Sequence, residues 1–324
     1  MSVFLKQCFA LRNLLPLIGL SIILVLLISC ISDALYPVNS CGSHQDANTI
    51  NHNLIWEWSN PSTAKCDHAI KDMTIVREFF AISDVPSRSE ETMNSIVATI
   101  LNNPCSTFAF VVEQPEFQWA LHGLTQHGPQ KILIYYFGNT PVTYDRFFSI
   151  AMLNPNKNAV FAISTGDVVL PSLSVIVQSC KFQDANNNPN VFVVSRRDIP
   201  GAEDEQTCTW YQKMGSWDVF IGKASLLTDQ VIHSTVFSPR YWGVENVVAS
   251  VLTKGMPTQL VNLCPYVDVV HLHASRQHSE RRLARVRISD DPNSIAHATG
   301  DAGAACRLDS LMTLLNQNAS IRLK

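Results

Sequence analysis

Glycine-based signatures are largely missing from this sequence. Its 324 residues include only 13 glycines and 16 prolines, and they show no repeat of fixed period. Collagen, solenoid and propeller architectures are therefore disfavoured. The sequence contains no G-x-S-x-G nucleophile elbow, Walker A loop, GxGxxG or HExxH motif, so the usual signatures of hydrolases and nucleotide kinases are absent.

The sequence also lacks an excess of either charge. Its 24 basic and 27 acidic residues give a net charge of −3, which disfavours nucleic acid as a partner. Hydrophobic residues make up 46% of the chain and charged residues 16%, so disorder over the whole chain is also disfavoured. The length allows one large catalytic domain with appendages or two small domains.

One long hydrophobic run is present, at Leu14–Ile31, and it contains no charged residue. It is long enough to cross a bilayer, and Lys6 and Arg12 before it favour a cytosolic tail at 1–13. We therefore predict a single-pass type II signal anchor at 14–31 in the Golgi or ER membrane, with the chain after it in the lumen. The alternatives are a cleaved signal peptide and a bacterial lipoprotein with the lipobox 27–30. All three export the rest of the chain.

Seven of the nine cysteines follow this run, and their wide spacing includes no CxxC pair. In an exported chain such cysteines are typical disulfide partners rather than metal ligands. Because seven is odd, at least one stays free or pairs between chains. Near the C-terminus, Asn318-Ala319-Ser320 is a glycosylation sequon.

The pattern after the run predicts a stem at 32–65, a large folded domain at 66–287 and a C-terminal tail at 288–324. Continuous apolar strands predict an α/β fold whose sheet is covered by helices on both faces. The predicted strands are Thr107–Val112, Ile132–Phe137, Ala159–Ile163, Val191–Val194, Val219–Ile221 and Val267–Leu272. The predicted helices are Ser89–Leu101, with Ser89 as its cap, Trp119–Leu124, Tyr144–Met152 and Glu245–Leu252, and the tail contains one short amphipathic stretch, Leu308–Leu315.

Candidate metal ligands stand at the ends of two predicted strands. Asp167 follows the strand Ala159–Ile163, where ligands bind in open α/β sheets, although an ordinary turn aspartate is the alternative. His271 and His273 stand two residues apart in one strand and so face the same side. Imidazole is a common ligand of transition metals, and the alternative is a pair of surface histidines.

Candidate catalytic acids stand near two other predicted elements. Glu245 opens a helix after a glycine turn, where it is either a general base or merely a favourable first-turn acid. Asp218 precedes the Val219–Ile221 strand with the same two interpretations. A run of arginines that begins at Arg276 is either a diphosphate clamp or a solvated helix face.

Six blocks in this order resemble glycosyltransferases of the GT-A type. That family has a P-T-Y segment, N-S-D-I-Y-F-D, L-T-R-W-D, S-Q-D, G-C-D-N-R and H-L-H, and the match spans roughly residues 130–282, under half of the chain. The corresponding blocks here are Pro141–Tyr144, Phe161–Leu173, Phe192–Ile199, Gly215–Lys223, Phe237–Leu252 and Val261–Arg281.

The resemblance implies a Rossmann-like GT-A sheet flanked by helices, in a single catalytic domain behind the anchor. It implies transfer of a sugar from a UDP- or GDP-sugar to a glycan, protein or lipid acceptor, assisted by Mn²⁺ or Mg²⁺. Metal ligands are then Asp167, His271 and His273, and the catalytic carboxylates are Glu245 and Asp218, one of which accepts the proton of the acceptor hydroxyl. The expected contacts to the nucleotide sugar are Asp167, Arg196, Trp242, Asn246 and Arg276.

Cys208 and Cys264 flank two of the blocks, and we predict that they are bridged.

The chain departs from the family at three places. Pro171 replaces the second carboxylate of S-D-I-Y-F-D, Thr165-Gly166 replaces Asn-Ser, and Val247 replaces the arginine of D-N-R. These departures motivate a second hypothesis, a non-catalytic relative that binds a glycan, a nucleotide sugar or a protein. A third hypothesis is an exported metal-dependent hydrolase that uses the same ligands to activate water.

Overall fold

The computed structural model of this chain describes residues 53–60, 72–79, 86–138, 140–199, 217–239, 241, 243–254, 258–264, 266–272 and 302–318. The chain divides into a unit of Met1–Gln45 and a unit of Asp46–Lys324, and all of these residues belong to the second unit. The predicted anchor at 14–31 lies outside them. Within the ranges just given, no helix is long and apolar enough to span a bilayer.

Strands and helices alternate through most of this unit. The strands are β1 (Leu54–Ser59), β2 (Thr74–Phe79), β3 (Thr107–Val112), β4 (Lys131–Tyr136), β5 (Val160–Ser164), β6 (Val168–Val169), β7 (Asn190–Val194), β8 (Arg196–Ile199), β9 (Val219–Lys223), β10 (Gln259–Asn262) and β11 (Val269–Leu272). The α-helices are α1 (Pro86–Asn102), α2 (Gln118–His122), α3 (Tyr144–Met152), α4 (Leu173–Ser179), α5 (Asp229–His233), α6 (Val244–Lys254), α7 (Ala302–Ala305) and α8 (Leu308–Asn318).

Eight strands form the main sheet, in the order β1-β4-β3-β2-β5-β9-β7-β10. Strands β4, β3, β2 and β5 are parallel, whereas β1 at the edge and β9 in the interior run antiparallel to their neighbours. A second sheet has the order β6-β11-β8. The sheet is therefore mixed, with a parallel centre.

Both faces of the main sheet are buried. In β2, Ile75 belongs to one apolar core and Val76 to the other, as alternation along a strand requires. Residues of α1, α4 and α8 contribute to the first core, and residues of α3, α5 and α6 to the second. Strands β5 and β7 are buried at every position. These observations confirm the prediction of an α/β sheet covered by helices on both faces.

Most predicted elements are found close to their predicted bounds. Strand β3 and helix α3 have the predicted bounds, and the other predicted strands differ by one or two residues at an end. Helix α1 is an exception, because it begins at Pro86 and Ser89 lies inside it rather than at its cap. Proline is favourable in the first helical turn, where its missing N–H would have no intrahelical partner.

Both flanking segments contribute to the fold. Strand β1 falls in the predicted stem and pairs with β4, where the Lys131 ammonium lies 2.8 Å from a Glu57 carboxylate oxygen. Helices α7 and α8 fall in the predicted tail, yet Leu311 is fully buried. A disulfide joins Cys180, just after α4, to Cys306 between α7 and α8. Four residues of the predicted tail are therefore part of the core, namely Ala302, Ala305, Cys306 and Leu311.

The strand order reverses between β2 and β5. From β2 the chain continues through β3 and β4 on one side of it, whereas β5 lies on the other side. In open α/β sheets, ligands bind outside the carboxyl ends of the strands at such a reversal. A ligand site is therefore expected beside the carboxyl ends of β2 and β5.

Candidate functional site

Asp167 stands at this edge of the sheet. Strand β5 ends at Ser164, the turn residues Thr165 and Gly166 follow, and Asp167 precedes β6. The residue is 8% exposed. The turn thus presents a largely buried carboxylate just beyond the carboxyl end of β5.

His271 meets Asp167 across the second sheet. Strand β11 pairs with β6 so that His271 lies opposite Val168, the neighbour of Asp167. A hydrogen bond of 2.9 Å joins His271 Nε2 and Asp167 Oδ2, and the backbone N–H of Leu272 donates to the Asp167 carbonyl at 3.3 Å. Only 2% of the His271 side chain is exposed. Two candidate ligands 104 residues apart are therefore in contact, while their role as metal ligands stays a prediction.

The turn that carries Asp167 wraps around a buried arginine that the sequence did not single out. Arg77 of β2 is fully buried, and its Nη2 donates to the carbonyls of Thr165, Gly166 and Val168 at 3.2, 2.9 and 2.6 Å. Burial lowers the pKa of Arg77 to about 9, and the negative charge of Asp167 opposes that shift. The guanidinium thus serves as an internal cation for the turn.

Helix α1 supports the same turn with buried polar side chains. Ser95 Oγ donates to the Gly166 carbonyl at 2.7 Å, and Thr99 Oγ1 accepts from the N–H of Leu170 at 3.1 Å. Asn103, just past the helix, donates to the Pro171 carbonyl and accepts from the Leu173 N–H. Because Ser95 and Thr99 are four residues apart, they lie on one face of the helix, and Asn103 follows at the same spacing just beyond its end.

Tyr144 is buried near this edge, and its pKa depends on several acidic side chains. Tyr144 is the first residue of α3 and the tyrosine of the P-T-Y-like block. Burial raises its pKa well above 10, and the negative charges of Glu245, Asp218, Glu78 and Asp167, in that order, raise it further. The four carboxylates therefore lie within electrostatic reach of one phenol, and three of them are predicted site residues.

The backbone explains how two of these acids approach the edge. Asp218 precedes β9, whose first residue Val219 pairs with Ser164 at the carboxyl end of β5. Asp218 is 2% exposed, and its N–H donates to the Val194 carbonyl at 3.1 Å. Glu245 lies in the first turn of α6 and is half-buried, so solvent reaches its side chain.

The other predicted contacts are less fully described. Asn246 lies beside Glu245 in α6, and its Oδ1 is buried without a hydrogen-bond partner within the part of the chain that the structure describes. Arg196 begins β8 beside Val269, and only its backbone is described. Trp242, His273 and Arg276 lie outside the described residues.

The predicted bridge between Cys208 and Cys264 is only partly within the structure. Cys264 is disulfide-bonded, as is Cys105, whereas Cys208 lies outside the described residues. Their pairing therefore stays a prediction.

The donor set at Asp167 and His271 fits a divalent cation as a partial site. Neighbouring ligands of an ion with bonds of ~2.1 Å lie ~3.0 Å apart, close to the separation of these two atoms. No cluster of three or more metal-ligating side chains is found in the described ranges. The pair would therefore leave most coordination positions to oxygens of a ligand or of water.

No protein-family model and no curated protein matches this chain. Among solved structures, it is similar to an inositol-1-phosphate CTP transferase from T. maritima, at 15% identity over 64% of this chain and 92% of that chain, with a TM-score of 0.39.

Two further similar structures are of S. aureus TarS and of a mannosyltransferase. TarS 1–349 in complex with UDP is 8% identical over 62% of this chain and 60% of that chain, with a TM-score of 0.41. The mannosyltransferase PcManGT from Pyrobaculum calidifontis, in complex with GDP-Man and Mn²⁺, is 11% identical over 65% of this chain and 58% of that chain, with a TM-score of 0.39. The chain thus spans about three fifths of these two structures, and likenesses this low carry no argument about its chemistry.

Proposed function

We propose that this chain is a nucleotide-sugar-dependent glycosyltransferase whose donor diphosphate binds beside Asp167 and His271. The observation that carries the proposal is the 2.9 Å contact between these two side chains. It lies where the strand order reverses, and the family resemblance independently assigns both residues to the donor site. An isolated turn aspartate and an isolated surface histidine do not account for a buried pair.

Asp167 and His271 would hold Mn²⁺ or Mg²⁺, together with His273 as the resemblance implies. When bound, such a cation neutralises charge on the nucleoside diphosphate and makes it a better leaving group. The two protein ligands keep the diphosphate at the carboxyl edge of the sheet. Arg196, Trp242, Asn246 and Arg276 are the proposed further contacts to the UDP- or GDP-sugar.

Glu245 is the proposed general base for the acceptor hydroxyl. A general base must come within hydrogen-bond distance of the proton that it accepts. Glu245 is half-buried and accessible, whereas Asp218 is 2% exposed. We therefore assign proton acceptance to Glu245, and give Asp218 the role of a buried acid that supports the same edge of the site.

The proposed setting is the lumen of the Golgi or ER, with the enzyme tethered by the hydrophobic segment at 14–31. The acceptor is a glycan, protein or lipid that carries a free hydroxyl. Protease protection of a C-terminal tag in sealed microsomes tests this topology. A tag that the protease digests would contradict the lumenal location. Carbonate extraction tests the anchor, and release of the protein from the membrane by carbonate would contradict the anchor alone.

Calorimetric titration with UDP and GDP, with and without Mn²⁺, tests the donor site. We expect Mn²⁺-dependent binding in the wild type and its loss in Asp167→Asn. Asparagine has the same shape and can still hydrogen-bond to His271, so the melting temperature without ligand should stay nearly unchanged. Asp184→Asn is the matched control, because Asp184 lies in a turn before β7, at the opposite end of the sheet.

Absence of nucleoside diphosphate binding in the wild type, or equal binding by Asp167→Asn, would contradict the proposed donor site. Release of free sugar from UDP- or GDP-sugars without transfer to any acceptor would favour the hydrolase. Metal-dependent binding without either reaction would favour the non-catalytic relative.

A further inference from the structure

Arg77 has surroundings that the proposed function leaves unexplained. All of its hydrogen-bond partners among the described residues are neutral oxygens, namely backbone carbonyls and the hydroxyls of Ser95 and Thr99. A buried charge without a hydrogen-bonded counter-ion is costly for the folded state. An apolar side chain would fill the same space between β2 and α1 without that cost.

The partners of Arg77 converge on one short segment. Three of them are carbonyls of Thr165, Gly166 and Val168, which bracket Asp167 on both sides. Carbonyls that point inward toward the guanidinium fix the orientation of the peptide planes between them. The direction in which the Asp167 side chain leaves the turn is therefore set by Arg77.

We propose that Arg77 is a positioning residue, which holds the Thr165–Val168 turn so that the Asp167 carboxylate faces His271. This inference rests on the proposed function, because it assigns Arg77 to the same donor site. Arg77 itself is fully buried and does not contact the nucleotide sugar. Its Nη1 donates to Ser95 and Thr99 of α1 while its Nη2 donates to the turn, and a lysine ammonium, which has one nitrogen, cannot reproduce this two-nitrogen link equally.

Ser95 is the second support of the turn and provides a milder variant. Its hydroxyl donates to the Gly166 carbonyl and accepts from Arg77 Nη2 at 3.3 Å. Ser95→Ala removes one of the four side-chain donations to the turn and leaves the guanidinium in place. The variant should therefore fold even if replacement of Arg77 prevents folding.

The experiment measures the affinity for UDP or GDP, whichever binds the wild type, with Mn²⁺ and with EDTA. For Arg77→Met we expect Mn²⁺-dependent affinity to fall about tenfold or more, the equivalent of one or two charge-assisted hydrogen bonds. Affinity in EDTA should be unchanged. Arg77→Lys should restore part of the loss, and Ser95→Ala should show a smaller loss of the same kind.

Asn154→Ala is the matched control, because Asn154 donates to the Asp72 carbonyl at the opposite end of β2. It should lower the melting temperature without changing the ratio of the two affinities. A wild type that binds no nucleotide would overturn the proposed function. A wild type that binds, with unchanged ratios in folded Arg77→Met and Ser95→Ala, would overturn the positioning role alone. Equal loss with Mn²⁺ and with EDTA would also overturn it.

Discussion

At the scale of single residues, the pKa of the Tyr144 phenol is shifted by the surroundings of the site. Its pKa is raised by burial and by the surrounding carboxylates, so it stays neutral in the folded protein where a free tyrosine ionises. Folding stability from this residue is therefore fully present below pH 10 and is lost as the pH rises toward the folded-state pKa.

Tyr144→Phe should remove this loss of folding stability at alkaline pH. Above about pH 10, the free energy of unfolding of the wild type should fall with rising pH by up to ~1.4 kcal/mol per pH unit more than that of the variant. Urea unfolding across this range measures the difference. An identical pH dependence in the two proteins would contradict the placement of Tyr144 among the acids.

The Asp167–His271 contact is the feature of the site that the sequence predicted best. Each residue ends or follows an apolar strand, and strand ends are positions that periodicity can locate. The sequence did not single out Arg77, because an arginine in a short strand resembles a solvent-facing residue. Only the fold shows that its neighbours are carbonyls rather than water.

At the scale of elements, helix α1 and Asn103, which follows it, hold the segment after β5 through hydrogen bonds from polar side chains. Asn103 is 3% exposed and makes hydrogen bonds to Pro171 and Leu173 through both ends of its amide. Asn103→Ala would leave a partly buried carbonyl and a buried N–H without these partners. We expect the free energy of unfolding to fall by about 1–3 kcal/mol.

Chemical denaturation compares this variant with Asn156→Ala. Asn156 also donates from its side chain, to Asp72, but the contact is exposed. Loss of an exposed hydrogen bond should change stability by no more than about 0.5 kcal/mol. Equal effects of the two variants would contradict the role of Asn103 in holding the segment after β5.

Elements were predictable where the apolar pattern was continuous. Strands β3, β5 and β7 are apolar except for one residue at an end and were predicted, whereas β2 has the sequence TIVREF and was missed. Its charged residues Arg77 and Glu78 are 0% and 3% exposed, so the strand is buried although its sequence suggests a solvent-exposed segment. Strand β1 (LIWEWS) was missed because it lies within the polar, turn-rich segment that was interpreted as a stem.

At the scale of the whole molecule, the Cys180–Cys306 disulfide ties the C-terminal helices to the core. The two cysteines are 126 residues apart, so the bridge closes a long loop, and both are largely buried. Replacement of both by alanine should lower the free energy of unfolding by about 2–5 kcal/mol.

Guanidinium denaturation of the double variant, without reductant, measures this contribution. The bridge lies away from Asp167, so nucleotide affinity at low denaturant should stay that of the wild type. Unchanged stability would contradict the assignment of Ala302, Ala305, Cys306 and Leu311 to the core.

The most direct test of the donor site is a crystal structure of the protein with Mn²⁺ and a nucleoside diphosphate, measured at a wavelength where manganese scatters anomalously. The account predicts one anomalous peak within ~2.0–2.6 Å of Asp167 Oδ2 and His271 Nε2, with diphosphate oxygens completing its coordination. A peak bound elsewhere, or a diphosphate bound away from the carboxyl ends of β2 and β5, would contradict it.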